Sequence, residues 1–250
     1  ALSFKSYPKH RTSMMQELEK GKPTLSFDLT AGNDSKDGFF WLNEPKEKEF
    51  RRGAGLRVVP DPKKTDFWCK KFRSPPADDT NGHALVTKIP KEANKWVGEI
   101  CFSIDPVLQY DQAGFLVYTG PRNWIKGGIE FEEGAPQMSC VVTRLHSDWN
   151  YVSHADTKTV KMRIHAERFR EAGLLECKVE YQAAAADDDS KVQWKFLREA
   201  PIALPSASSQ GGGGADEILF GVMCCAPSKK KGDKKGMVAN FTKIAITVVE

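Results

Sequence analysis

The sequence has no apolar run approaching the roughly 18 residues that cross a bilayer as a helix, and no charged-then-apolar leader precedes its first strand-like segment. A membrane partner is therefore not expected. Charge of one sign is lacking as well: 37 Lys and Arg stand against 33 Asp and Glu, a formal net of +4, too little for an electrostatic footprint on nucleic acid. The six cysteines, Cys69, Cys101, Cys140, Cys177, Cys224 and Cys225, show neither the short regular spacing of a disulfide framework nor the C-x-x-C pairs of a zinc site. They read as buried, reduced thiols, which points to the cytoplasm. His10, His83, His146, His154 and His165 have no ligand spacing, and no Ser-His-Asp set can be placed. Asp187, Asp188 and Asp189 lack the alternating oxygen ligands of a calcium loop and read as a solvated tip. No metal, no cofactor and no catalytic set is expected.

Helical 3.6-residue periodicity is nearly absent too, with one turn plausible from Ser13 to Lys20. What is present instead is alternation. Trp96, Ile100, Phe102 and Ile104 share one side of a strand, as do Val160, Met162 and Ile164, then Val192, Trp194 and Phe196, and finally Thr242, Ile244, Ile246 and Val248. Many such short strands between Gly, Pro, Asn and Asp clusters define an all-β protein, a sandwich or barrel. With 250 residues, 40% of them hydrophobic, the chain can bury a full core, so one domain over 1–250 is expected, with a loosely ordered stretch over about 1–24. Gln182 to Lys191 and Pro205 to Asp216 read as long hairpin loops, and Lys229 to Lys235 as a basic hairpin tip.

Directly opposed residues of an antiparallel pair share a face, which fixes a register for the middle of the chain. A turn over Glu132 to Ala135 sets Phe131 opposite Pro136, Ile129 opposite Met138, Gly127 opposite Cys140 and Ile125 opposite Val142. The preceding turn sets Val117 opposite Ile125, Phe115 over Gly127 and Ala113 opposite Ile129. All of these are apolar or small. The other face of this meander then carries Gln112, Tyr118, Trp124, Lys126, Glu130, Gln137, Ser139 and Thr143, the polar and aromatic mixture of a binding surface.

Several segments in order resemble one family: Thr65-Asp66-Phe67-Trp68 followed by Asn81-Gly82-His83, then Asp111-Gln112-Ala113-Gly114, Asn123 to Glu130, Ser139 to Thr143 leading to Ser147-Asp148-Trp149, Trp194 with Arg198, and Gly221 to Pro227. Together they resemble the regulation of enolase protein family. The resemblance implies a two-sheet antiparallel β-sandwich of the concanavalin A-like jelly-roll type, kinship with domains appended to some glycoside hydrolases, and an enolase-type metabolic enzyme as partner. It also groups Asp66, Trp68 and His83, and Asp148 with Trp149, as candidate ligand contacts.

Three functions follow from these residues. Tyr118, Trp124, Lys126, Glu130 and Gln137 suit a carbohydrate, since an aromatic ring stacks on the apolar side of a pyranose while Lys and Glu meet its hydroxyls. A non-enzymatic, lectin-like module is the leading expectation, and the bland alternative is a loop-covered sheet face on which Trp124 anchors the loop. The resemblance alone supports an interaction module regulating a metabolic enzyme. A glycoside hydrolase would use Glu130 and Glu132, which alternate to one face, but Ala135 stands where the third acid of an E-x-D-x-x-E pattern belongs.

Overall fold

The computed structural model describes residues 25–31, 38–61, 64–153, 159–183, 193–205, 217–228 and 236–249. The stretch 1–24, the turn at Ser13 to Lys20, the Asp187 to Asp189 run and the Lys229 to Lys235 tip lie outside the described residues, as does most of both expected long loops. Among the described residues there is no α-helix, and one short 3-10 turn, Leu29–Ala31, interrupts a succession of strands.

Numbered in chain order, β1 (Leu25–Asp28), β3 (Glu47–Arg51), β4 (Gly55–Val59), β8 (Lys95–Asp105), β13 (Val160–Phe169), β14 (Leu174–Ala183), β15 (Lys195–Ala203) and β17 (Val238–Val248) make an eight-stranded sheet. Its order is β15-β14-β13-β8-β17-β4-β3, with β1 also pairing β17. The seven-stranded sheet is built of β2 (Phe39–Leu42), β7 (His83–Ile89), β9 (Gln112–Gly120), β10 (Asn123–Glu132), β11 (Ala135–Arg144), β12 (His146–Ser153) and β16 (Ile218–Cys225), in the order β12-β11-β10-β9-β16-β7-β2. A separate hairpin of β5 (Phe67–Lys70) and β6 (Ala77–Thr80) lies apart from both. The strand pairings are antiparallel.

The two large sheets bury their apolar faces against each other. From the eight-stranded sheet, Trp96, Ile100, Phe102, Ile104, Val160, Met162 and Ile164 enter one core with Phe115, Val117, Ile125, Ile129, Met138 and Val142 of the other. Phe220 locks the layers, its ring 5.5 Å from Trp96 and 6.5 Å from Phe115. Each such side chain contributes about 1.5–3 kcal/mol on burial, so the alternation read in the sequence is the main stabilising term.

The central meander has the register expected from the sequence. Phe131 opposes Pro136, Ile129 opposes Met138 and Gly127 opposes Cys140, while Val117 faces Ile125 and Ala113 faces Ile129. Glu133 and Gly134 both have positive φ at the β10–β11 turn, the backbone twist that a two-residue hairpin requires. The Phe115 ring lies so close over Gly127 that a Cβ there would fall 2.7 Å from it.

Two expected faces are shifted by bulges. In β17, Phe241 pairs Phe102 and Lys243 pairs Cys101, so Thr242 is an extra residue; Phe241, Ile244 and Ile246 fill the core, while Thr242 stays outside it. In β15, Arg198 pairs Val179 and Phe196 pairs Glu180, which leaves Leu197 extra and turned inward. Phe196 is accordingly 57% exposed, Trp194 precedes the strand and Val192 lies outside the described residues, so that triplet is no core face.

Gly114 and Gly128 oppose each other across β9 and β10, and a Cβ on Gly128 would fall 1.9 Å from the backbone oxygen of Ala113. No rotamer change relieves a clash with backbone. Gly128→Ala should therefore lower stability by about 2–4 kcal/mol, seen as an earlier urea midpoint with an unchanged slope.

Candidate ligand-binding face

The outer face of the seven-stranded sheet carries the residues singled out by alternation, and it is closed at one end. The β5–β6 hairpin folds over it, placing Phe67 and Cys69 in a second apolar cluster with Ala84, Val86, Leu116, Trp124, Leu219, Met223 and Cys225. Trp124 is 0% exposed, stacked 6.3 Å from Tyr118 and edge-on to Phe67 at 6.0 Å. Three polar ties hold the cover down: Cys69 N donates to Ser147 Oγ at 2.9 Å, the Cys69 thiol donates to the Leu145 carbonyl at 2.9 Å, and Ala226 N donates to Thr65 Oγ1 at 2.9 Å. Trp124 thus anchors a lid, and its ring offers no open face for a sugar.

Beneath the lid lies an ion pair. Lys126 is 2% exposed and its Nζ donates to Asp66 Oδ1 at 2.8 Å. Desolvation works against the Lys126 charge, but the Asp66 carboxylate, aided by Cys225 and Glu130, outweighs it and raises the ammonium pKa above its usual value. Asp66 is itself fixed, since its backbone N donates to Asn81 Oδ1 at 2.9 Å and its Oδ1 also accepts from Phe67 N at 2.8 Å.

Along the same face a polar file leads from the lid toward β12. Glu130, 7% exposed, accepts from Ser139 Oγ at 2.7 Å, and Ser139 in turn accepts from Trp149 Nε1 at 2.9 Å. Burial raises the Glu130 pKa; Lys126 and the Ser139 hydroxyl pull it back only in part. Gln112 and Gln137 flank Glu130 on the neighbouring strands. Desolvation, then the adjacent Glu133, also raises Glu132, whose Oε2 accepts from Gln109 Nε2 at 2.5 Å. Where Gly128 lacks a side chain beside Glu130, Lys126 and Ser139, a recess of about 10 Å³ remains, room for one water or one hydroxyl.

The open end belongs to three aromatic rings. Trp149 is half-buried, with its N–H fixed by Ser139; Tyr151 lies 5.0 Å away on the same strand face, and Tyr110 stands edge-on at 6.5 Å. Tyr110 takes its place from the loop before β9: Asp111 Oδ2 accepts from Val107 N and Leu108 N, and Tyr110 N donates to the Phe131 carbonyl. Tyr151 was legible as a partner of Trp149 from alternation alone. Tyr110, held at positive φ in a loop, carries no sequence signal for its position.

The remaining candidate residues go elsewhere. His83 is buried, its Nε2 accepting from Asp61 N at 3.1 Å and its Nδ1 donating to the Asn43 carbonyl at 2.5 Å, the role of a neutral imidazole pinning a loop. Trp68 alternates to the outer side of the lid hairpin, with Lys70 Nζ 5.2 Å over its ring. Asp148 points away from its neighbour Trp149 and, with Asn150, receives Arg198 of the other sheet at 2.6 and 2.7 Å, a clasp at the sandwich edge. All six cysteines are free thiols, five of them buried. No His, Cys, Asp and Glu cluster among the described residues could hold a metal ion, and no helix there is long and apolar enough to cross a membrane.

A two-sheet antiparallel sandwich with one outer face partly lidded is the concanavalin-like class of fold. Solved structures agree: a functionally unknown protein from Saccharomyces cerevisiae superimposes with a TM-score of 0.64 at 25% identity, covering 85% of this chain and 97% of that one. A GH43 protein from Bacillus licheniformis gives 0.63 at 14% identity over 91% of this chain and 40% of its own, a likeness of fold alone. Among sequences, Regulation of enolase protein 1 of Saccharomyces cerevisiae is 26% identical over 208 residues, 83% of this chain and 88% of that protein. An uncharacterized protein of Emericella nidulans is 32% identical over 197 residues, 77% of this chain and 86% of its own. The family described as "Protein of unknown function (DUF1349)" matches residues 41–248. The chain belongs to that family.

The raised pKa of Glu130 has a stability consequence. A carboxyl that holds its proton more tightly folded than unfolded adds stability below the unfolded value of about 4.3, and that contribution is lost as pH rises through the folded value. Gln mimics the protonated form and can still accept from Ser139. Glu130→Gln should therefore melt higher than wild type at neutral pH, with the gap closing below about pH 4.

Proposed function

We propose that the chain is a non-enzymatic carbohydrate-binding module whose ligand lies on the open end of the seven-stranded sheet, across Trp149, Tyr110 and Tyr151. The observation that carries this reading is the indole of Trp149, fixed by its hydrogen bond to Ser139 and half-exposed beside two tyrosines that are each 39% exposed. A preorganised aromatic platform stacks on the apolar face of a pyranose at little entropic cost, and the Gln137 amide on the adjoining strand lies next to it for hydroxyl groups. The carboxyls of Glu130 and Glu132 are already engaged by Ser139 and Gln109, which favours binding over glycoside hydrolysis. The free thiols fit a reducing compartment, so we place the protein in the cytoplasm.

A second reading, an interaction module that regulates a metabolic enzyme such as enolase, is favoured by the 26% identity with yeast Regulation of enolase protein 1 over most of both chains. Its surface would be the neighbouring hairpin tips, where Phe72 and Leu145 are each 68% exposed among Lys70, Lys71, Arg73 and Arg144.

The two readings separate on paired variants. Trp149→Ala should cost about 1–3 kcal/mol of glycan affinity, measured on an array and by calorimetry, and leave a pull-down of enolase unchanged. Phe72→Asp should do the reverse. Glycan binding that survives Trp149→Ala would remove this face from the account.

A further inference from the structure

Each large sheet ends in two edge strands, whose outward N–H and C=O groups recruit another chain unless the sequence prevents it. Three of the four edges are guarded. β2 has only four residues. β3 is charged at four of its five positions, Glu47, Lys48, Glu49 and Arg51. β15 is broken by the bulge at Leu197 and carries Lys195, Arg198 and Pro201. β12 has none of these devices. It runs for eight residues, pairs β11 from His146 to Ser153 without a shift in register, and contains no Lys, Arg, Pro or Gly.

Among the described residues no strand pairs with the outer side of β12. The strand also overhangs the sandwich, because β15 of the other sheet packs against β11 and β10. Its far half is therefore open on both faces. Tyr151 lies on the outer face; Val152, which pairs the core residue Met138, lies on the inner one; each is 39% exposed. The single carboxylate of the strand, Asp148, is met by Arg198 at 2.6 Å within the same chain. A neighbouring strand thus finds an unbroken ladder edge flanked by apolar surface.

We infer that β12 is the seam of a homodimer, in which two copies pair this strand antiparallel about a two-fold axis and join their seven-stranded sheets into one. The axis stands perpendicular to the sheet and keeps the two outer faces together, and directly opposed residues share a face. A residue can therefore oppose itself or one an even number of positions away. Centred on Asn150, the strand is self-complementary: Trp149 meets Tyr151 of the partner subunit on each side of the axis, Ser147 meets Ser153 of the partner subunit, and Asp148 meets Val152 of the partner subunit instead of a second carboxylate. Centring on Trp149 makes one aromatic pair instead of two, and centring on Tyr151 shortens the ladder. The pairing lays the two Trp149 platforms side by side as one aromatic strip built from both subunits. That consequence rests on the sugar-binding reading, whereas the seam rests on the edge alone.

Two measurements on the full chain, both made without sugar, test the seam. In sedimentation equilibrium at about 100 μM the protein should show twice the chain mass and no larger species, because an isologous contact closes at two copies. Disulfide trapping then reads the register. Position 150 alone opposes itself, and directly opposed Cα atoms lie about 4.5–5.5 Å apart, within reach of a disulfide. In a Cys101→Ser background, which removes the one native thiol that is not buried, Asn150→Cys should form a covalent dimer under mild oxidation that reductant reverses. Val152→Cys is the control: the register holds its two copies about 14 Å apart along the strands, too far to bridge, although random collision would reach this exposed position readily. Its cross-linking should be at least about tenfold slower. A chain that stays monomeric, a mass that climbs past the dimer, or Val152→Cys cross-linking as fast as Asn150→Cys overturns the inference.

Discussion

Lys126 sits in mid-sheet between Leu116 and Val141 on the adjoining strands, a position where an ammonium group cannot reach bulk water. Leaving a charge so placed without a partner costs several kcal/mol, so something must bring it a carboxylate. Asp66 does, and it is the residue that leads directly into the β5–β6 hairpin. Once Asp66 is seated, Phe67 falls onto Trp124, Cys69 reaches Ser147 and Leu145, and the hairpin becomes a lid. The ion pair therefore decides which part of the outer sheet face is interior and which remains surface.

The division has a functional consequence. Under the lid, the side chains that resemble a binding set serve the fold: Trp124 is an anchor, Lys126 and Asp66 a staple, and Glu130 a buried carboxyl in a file of hydrogen bonds. Beyond it, the file ends at Trp149, and the same hydrogen bonds that satisfy buried groups hold that indole at a fixed angle beside two tyrosines. Among the described residues no hairpin lies over the opposite sheet. There the bulge in β17 and the small side chain of Cys101 open a cleft instead, walled by lysines and a braced tryptophan. The two sheets thus expose aromatic rings by different devices, one by partial covering and one by a local break in register.

Much of the fold was legible because a strand's alternation says which residues share a face, and the turn chemistry around Glu133 and Gly134 pins the register; hence Ile129 opposite Met138 and Phe115 over Gly127 could be read directly. Alternation cannot say what covers a face. The lid comes from a segment sixty positions away from Lys126, and no local pattern links Asp66 to it, so the sequence leaves Trp124 open between an exposed platform and the anchor of a covering loop. Parity also fails at bulges, which is why Thr242 does not share the core face of Ile244 and Ile246, and why Leu197 rather than Phe196 turns inward. The pairing of Asp148 with Trp149 came from resemblance, although neighbours on a strand must point to opposite faces; the structure sends one to Arg198 and the other to Ser139.

The most direct measurement of this account is a double-mutant cycle on the ion pair, with Asp66→Asn, Lys126→Met and the two combined, followed by urea denaturation. If the pair fixes the lid, each single change costs about 3–5 kcal/mol by stranding a buried charge or its partner, and the double variant recovers much of that loss. A double variant whose loss equals the sum of the singles to within about 0.5 kcal/mol would contradict it, and would assign the closure of this face to the packing of Phe67 on Trp124 and the hydrogen bonds made by Cys69 and Thr65.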